Sequence, residues 1–314
     1  KGIIHTDLAK ELDAKVIGRF GGHVWEQYDL PRYLKQNNNP LLLSLCSTAP
    51  GFYKNQIVTH HDITYIRCPE SFSKKFIGFY KFIVPLMLKN SKKIITVSNF
   101  SKDEVSAFFK IPKDKFVVIY NGVDSEQFNV LPTKNPAAPP YILAVSSRNF
   151  HKNFQGLIKA FKDVKNQLQD VDLYIVGGSE IKSFNNIDLD IEDLKQEKRI
   201  HFLGRVDDQE LVKTYQNASL FVFPSFYEGF GIPPLEAQAC GCPVIASDKA
   251  SMPEVLADSV LYFDPTSTTE LSEQIKFFYN NPEQKDKLAE KGLQNIKRFD
   301  WDHSFRQLLD ELKK

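Results

Sequence analysis

The residues whose types and spacing could do chemistry are concentrated in Ser225-Phe-Tyr-Glu228-Gly-Phe-Gly231-Ile-Pro-Pro234-Leu-Glu236-Ala-Gln-Ala-Cys240. Here two carboxylates stand eight positions apart around a Gly-Phe-Gly turn and a Pro-Pro pair. Leu220-Phe-Val-Phe-Pro224 before it reads as a short buried strand, and Pro234 to Cys240 after it as a helix, since proline is tolerated in a first helical turn. The segment is thus strand, glycine loop, helix, with Glu228 at the strand's carboxyl end, where open α/β sheets bind ligands. Gly229 and Gly231 let a ligand approach backbone N–H groups, and the helix N-terminus behind them favours negative charge.

A second set follows the strand Tyr141–Val145, in Ser146-Ser-Arg148-Asn-Phe-His-Lys152-Asn153. Arg148 offers a planar fork and Lys152 a point charge, both just ahead of a helix predicted from about Asn153 to Leu168. Two cations at that place could hold a diphosphate, or be ordinary surface basic residues in a loop.

These elements need a frame. Apolar runs of four to six residues recur at 14–18, 40–46, 56–60, 93–97 and 116–120. After the proline-rich stretch 131–140 they return at 141–145, 173–176, 199–203, 220–224 and 243–246. The segments between them have helical length, and the alternation predicts α/β architecture with mostly parallel sheets. Four prolines within residues 131–140 mark a linker. The chain of 314 residues is long enough for two domains.

Both sets together closely resemble retaining glycosyltransferases of the GT-B fold, family-4 type, with their Glu-x7-Glu and Arg…Lys-Asn patterns. The resemblance covers nearly the whole chain and is strongest from Tyr141 to Ala246. It implies two Rossmann-like parallel-sheet domains facing each other across a cleft. Residues 1–130 would form the acceptor-side domain, lacking its first strand. Residues 141–298 would form the nucleotide-sugar domain, and 299–314 a final helix, from about Phe305, crossing back to the first.

The resemblance also implies roles. Arg148 and Lys152 would neutralise the leaving diphosphate. Glu228 would contact the donor sugar, with backbone N–H groups near Phe230, Gly231 and Ile232, and Glu236, on the helix's first turn, would bond the ribose hydroxyls. A carboxylate suits such work because it accepts hydroxyl hydrogen bonds strongly. Backbone around Arg205 and Val206, and the Gly177-Gly178 turn, would lie beside the base.

In the first domain, His61 would contact the donor sugar, with His60 as the alternative. Asp62 would orient His61 or cap the following turn. Ser98, in Ser98-Asn-Phe-Ser101, would touch substrate on the acceptor side; the alternative is that Ser101 simply caps the following helix. Asn121-Gly122 reads as a structural turn.

The implied reaction moves a hexose from a nucleoside-diphosphate sugar, GDP-mannose first, to a saccharide or lipid-linked saccharide acceptor in polysaccharide or lipopolysaccharide synthesis. A UDP-hexose or dTDP-deoxyhexose is the alternative donor. A nucleotide-sugar epimerase or a non-catalytic nucleotide-sugar-binding protein is the alternative function. No cofactor or metal is implied.

Composition narrows the classes further. The net charge of +1 argues against a nucleic-acid binder, although residues 1–130 carry 18 Lys+Arg against 12 Asp+Glu and the remainder 22 against 27. The basic first half could face an anionic membrane or acceptor, or simply carry solvated lysines. The aromatic, lysine-bearing segment 73–89 could lie on a membrane surface or form a core helix. Cys46, Cys68, Cys240 and Cys242 have no metal spacing and read as core or near-core residues in a reducing cytosol. No run of about 18 apolar residues and no signal peptide is visible, so the expected location is cytoplasmic, at most against the inner membrane face. No Gly-x-Gly-x-x-Gly or P-loop sequence follows a strand, which sets dehydrogenases and P-loop NTPases aside.

Overall fold

The computed structural model describes residues 6–131, 139–147, 149–168, 170–177 and 197–313. Two parallel sheets organise them. The first has the order β1-β2-β3-β4, with β1 Leu42–Ser44, β2 Gln56–Thr59, β3 Lys93–Thr96 and β4 Phe116–Val118. The second has the order β10-β9-β8-β5-β6-β7. Its strands are β5 Tyr141–Val145, β6 Asp172–Val176, β7 Ile200–Gly204, β8 Leu220–Phe223, β9 Val244–Ser247 and β10 Leu261–Phe263. β2, β8 and β9 are buried along their whole length, as apolar strands covered by helices on both faces must be.

The order of the second sheet reverses between β5 and β8, which pair through Ile142 with Leu220 and Leu143 with Phe221. From β5 the chain builds outward through β6 and β7, then returns to lay down β8, β9 and β10 on the other side. The loops leaving β5 and β8 therefore diverge around a crevice at the strands' carboxyl ends. The helix Phe154–Val164 closes one face, burying Leu157, Ile158, Ala160, Phe161 and Val164 against Ile142, Leu173 and Val222.

The last helix, Trp301–Leu312, returns to the first sheet. Leu308 and Leu312 pack on Ile57, Ile95 and Ile119, and Ser304 Oγ donates to the Tyr120 carbonyl at 2.6 Å. Gly122 has no room for a side chain, because a Cβ there would lie 2.6 Å from the Trp301 backbone nitrogen.

Several sequence expectations need correction. Residues 14–18 form no strand; that segment is mostly exposed, with Val16 84% accessible, and its apolar run found no pairing partner among the described residues. The final helix begins at Trp301, capped by Asp300, rather than at Phe305. The helix after the Gly-Phe-Gly turn begins at Ile232, which moves Glu236 from the first turn to the second. Cys46 is exposed, while Cys68, Cys240 and Cys242 are buried. Segment 73–89 forms the helix Lys74–Asn90, capped by Ser73, with Ile83, Val84, Met87 and Leu88 in the core of the first half.

Candidate active site

The loop leaving β5 turns through Phe150–Lys152 into Asn153, a residue in the left-handed region (φ 52°) that caps the next helix by accepting from the Gly156 N–H. Its amide Nδ2 also donates to the carbonyls of Pro224 at 3.1 Å and Pro265 at 2.8 Å. One buried asparagine thus ties the loops after β5, β8 and β10 together. The Phe226 N–H adds a bond to the His151 carbonyl at 2.7 Å.

This fixes Lys152 opposite Glu228. Lys152 Nζ donates to Glu228 Oε1 at 2.6 Å, and the two side chains are only 15% and 13% accessible. The Lys152 ammonium also lies 5.8 Å from the Phe223 ring centroid. Arg148 and Gly178 lie outside the described residues.

Glu236 is half-buried. Tyr215, fully buried, donates its hydroxyl to Glu236 Oε2 at 2.9 Å. Burial raises the Glu236 pKa above the usual carboxylate range; the Tyr215 bond opposes that rise and the charge of Asp208 adds to it.

The first half meets this loop directly. A Cβ on Gly229 would stand 2.7 Å from the His61 carbonyl oxygen and 2.8 Å from the Asp62 Cβ, so glycine is required by close approach. Ser98 and Ser101 donate to the Gly229 carbonyl at 2.6 and 3.1 Å. Ser251 donates to the carbonyls of Glu228 and Phe230 at 3.0 and 3.1 Å.

Two further contacts cross the cleft. Glu254 Oε1 accepts from the Asn99 N–H at 2.7 Å and Tyr120 Oη at 3.0 Å, and its Oε2 accepts from the Phe100 N–H at 2.9 Å. A carboxylate at the first turn of the Asn99–Phe109 helix complements its dipole. His151 donates its N–H to Ser71 Oγ at 3.1 Å, with Nδ1 2.8 Å from the same hydroxyl. Burial, and then the neighbouring Lys152 charge, push the His151 pKa down to about 4.

Lys152, Glu228, Gly229 and His61 therefore meet at one place. His61 presents its backbone to Gly229, while its Nε2 lies 3.2 Å from the Leu45 carbonyl. His60 is fully buried with Nδ1 2.9 Å from the Ser47 carbonyl, a structural place. Asp62 caps the following turn, accepting from Thr64 N–H at 2.7 Å and Thr64 Oγ1 at 2.5 Å. Asp62 also lies against the Gly229 loop, its Oδ2 2.9 Å from where a Gly229 Cβ would stand.

Ser98 departs from expectation. It is fully buried, caps its own helix by accepting from the Ser101 N–H, and spends its proton on Gly229 rather than facing an acceptor. Arg205 is exposed at the end of β7 and Val206 packs partly into the core of the second half. Ile232 starts the helix behind the loop, and Phe230 is buried beneath it. In sequence Asn153 reads only as part of the Arg…Lys-Asn pattern, without its ties to the loops after β8 and β10. Sequence reasoning missed Tyr215, Ser251 and Glu254, because each acts through a partner distant in sequence.

Comparison with known proteins agrees with this architecture. The model described as "Glycosyl transferases group 1" matches residues 125–295, more than half of the chain, and "Glycosyltransferase Family 4" matches residues 20–127. The chain is 32% identical over 284 residues to the O-antigen chain mannosyltransferase RfbU of Salmonella typhimurium, covering 89% of this chain and 76% of that one. It is 30% identical over 278 residues to the O-antigen chain mannosyltransferase B of Escherichia coli, covering 84% and 73%. Among solved structures, sucrose-phosphate synthase from Thermosynechococcus elongatus has a TM-score of 0.75 at 21% identity, over 90% of this chain and 75% of that one. A glycosyltransferase from Rickettsia africae also has a TM-score of 0.75 at 21% identity, over 99% and 88%. The chain belongs to the glycosyl transferases group 1 family and is a glycosyltransferase of the GT-B fold.

Proposed function

We propose that the protein transfers a mannosyl residue from GDP-mannose to a saccharide acceptor in lipopolysaccharide or related cell-surface polysaccharide synthesis, with retention of anomeric configuration. The observation that carries this reading is the Lys152–Glu228 pair at the crevice between β5 and β8, where doubly wound sheets hold nucleotides. The names of the two O-antigen mannosyltransferases support the sugar and the product class.

In this reading the nucleoside diphosphate enters over the loops leaving β5 and β8. Its phosphate takes Lys152 over from Glu228, and Arg148, four residues earlier in the same loop, adds a second cation. Charge growing on the departing phosphate oxygen is neutralised by these cations, with no metal ion assigned to the task. Glu228 is released to accept a sugar hydroxyl or to stabilise positive charge on the ring. Glu236 keeps one oxygen on Tyr215 and offers the other to the ribose. The acceptor hydroxyl attacks on the face from which the diphosphate leaves, and a phosphate oxygen takes its proton.

The acceptor would approach from the first half. There the Lys74–Asn90 helix exposes Phe82 among Lys74, Lys75, Lys81 and Lys89, which supports contact with an anionic surface bearing a lipid-linked acceptor. The test is transfer from GDP-α-mannose to a mannose-terminated oligosaccharide, followed by proton NMR. An α-linked product supports the reading; a β-linked product, or hydrolysis alone at every donor tried, contradicts it.

A further inference from the structure

Three successive carbonyls of the donor loop are held by serine hydroxyls. Ser251, from the second half, takes Glu228 and Phe230; Ser98 and Ser101, from the first, take the intervening Gly229. All three serines are buried. A trans peptide plane sets each N–H opposite the preceding carbonyl. Pinning these carbonyls therefore also orients the N–H groups of Gly229, Phe230 and Gly231, and none of the three has an acceptor among the described residues. Residues 229–231 are buried, and amides in such residues are ordinarily paired, so these three, beside Lys152 and Glu228, are placed to donate to a ligand.

We infer that Ser98, Ser101 and Ser251 are positioning residues that aim the amides of residues 229–231 at the donor sugar, and that Ser98 and Ser101 make this aim depend on contact between the two halves. This rests on the donor-site reading above. If the halves part, the Gly229 carbonyl loses both of its serines while the Glu228 and Phe230 carbonyls keep theirs. The peptide between Gly229 and Phe230 is then free to rotate, and the donor sugar loses a fixed hydrogen-bond donor. The nucleotide itself is gripped elsewhere, by Lys152 and Glu236, so the serines govern the sugar and leave the nucleoside diphosphate alone.

The test uses the full chain carrying Ser98→Ala with Ser101→Ala, and separately Ser251→Ala. Calorimetric Kd values are taken for GDP and GDP-mannose, and for UDP and UDP-glucose, together with kcat and KM for the donor. The expected result is a Kd for the nucleoside diphosphate within about twofold of wild type, with kcat lower by at least about tenfold, as when a preorganised donor to a reacting group is lost. Unchanged kcat and KM in both variants overturn the inference. So does equal weakening of diphosphate and sugar nucleotide, which marks a merely structural role. If the double variant does not fold, Ser251→Ala decides alone, since its bonds lie within one half. Wild type that binds none of these four ligands, nor dTDP or ADP, overturns the donor-site reading itself, and this inference with it.

Discussion

Lys152 Nζ and Glu228 Oε1 lie 2.6 Å apart, joining the loop that leaves β5 to the loop that leaves β8. Both side chains are largely shielded from water, so each charge needs the other. A buried pair contributes little net stability, because desolvation offsets most of the attraction, but removing one partner strands the other. A diphosphate can replace Glu228 as the partner of Lys152 without leaving either charge alone, provided that Glu228 then finds a hydroxyl.

Lys152→Ala is therefore expected to abolish turnover and to lower stability by roughly 3 kcal/mol, the usual cost of breaking a buried pair from one side. Adding Glu228→Gln should recover most of that stability and none of the activity. Urea unfolding of both single variants and the double variant, read as a double-mutant cycle, checks the first claim, and donor turnover checks the second. Full activity in Lys152→Ala would remove it from the site.

Glu236 should give nucleotide binding an acid limb. Its pKa is raised by burial, and in the proposed donor site the ribose hydroxyls need the ionised form, so affinity should fall as pH drops through that raised value. The Tyr215 bond lowers the Glu236 pKa. Tyr215→Phe should therefore move the limb to higher pH, and Glu236→Gln should remove it while weakening binding throughout. Calorimetric Kd values across the acid range measure both; a limb unmoved in Tyr215→Phe contradicts the assignment.

His151 should make stability depend on pH. Its pKa is depressed to about 4 in the folded chain, so the unfolded chain binds the extra proton between about pH 6.5 and 4. The contribution is fully present above the unfolded value and is lost as pH falls toward 4, amounting to about 3 kcal/mol when complete. Urea unfolding at pH 7 and pH 5 should show a smaller difference for His151→Gln than for wild type. His60, also depressed by burial, acts in the same direction and sustains part of the slope.

Gly229→Ala should wedge the halves apart. The added methyl would meet the His61 carbonyl and the Asp62 Cβ inside contact distance, and overpacking of this kind costs about 1–3 kcal/mol. Activity should fall by more than about tenfold, because the donor loop moves with the seam. Small-angle scattering should show a larger radius of gyration than wild type; an unchanged radius with unchanged kcat would count against the seam as described.

What the sequence disclosed was what local pattern encodes. Among the described residues, apolar runs marked nine of the ten strands, all but the short β10, and the strand–loop–helix signal around Glu228 placed its loop at the carboxyl end of β8. Residues 14–18 carried a strand's composition yet form none, because strand formation depends on a partner strand that composition does not specify. Glu254 illustrates the second gap. Its carboxylate bonds Asn99, 155 positions earlier in the chain, and a lone glutamate beside a proline announces nothing of that. Ser98 was noticed for the right segment and given the wrong partner, since a serine beginning a helix offers its hydroxyl equally to substrate, cap or neighbour.

The most direct test of the donor site is calorimetric titration of the wild-type chain and of Lys152→Ala with GDP, UDP, dTDP and ADP in metal-free buffer. The account predicts that wild type binds one of them, GDP first, and that Lys152→Ala loses at least about 1.4 kcal/mol, or tenfold in Kd. Equal affinity in the two proteins, or no binding of any diphosphate to wild type, would contradict the placement of the donor between β5 and β8.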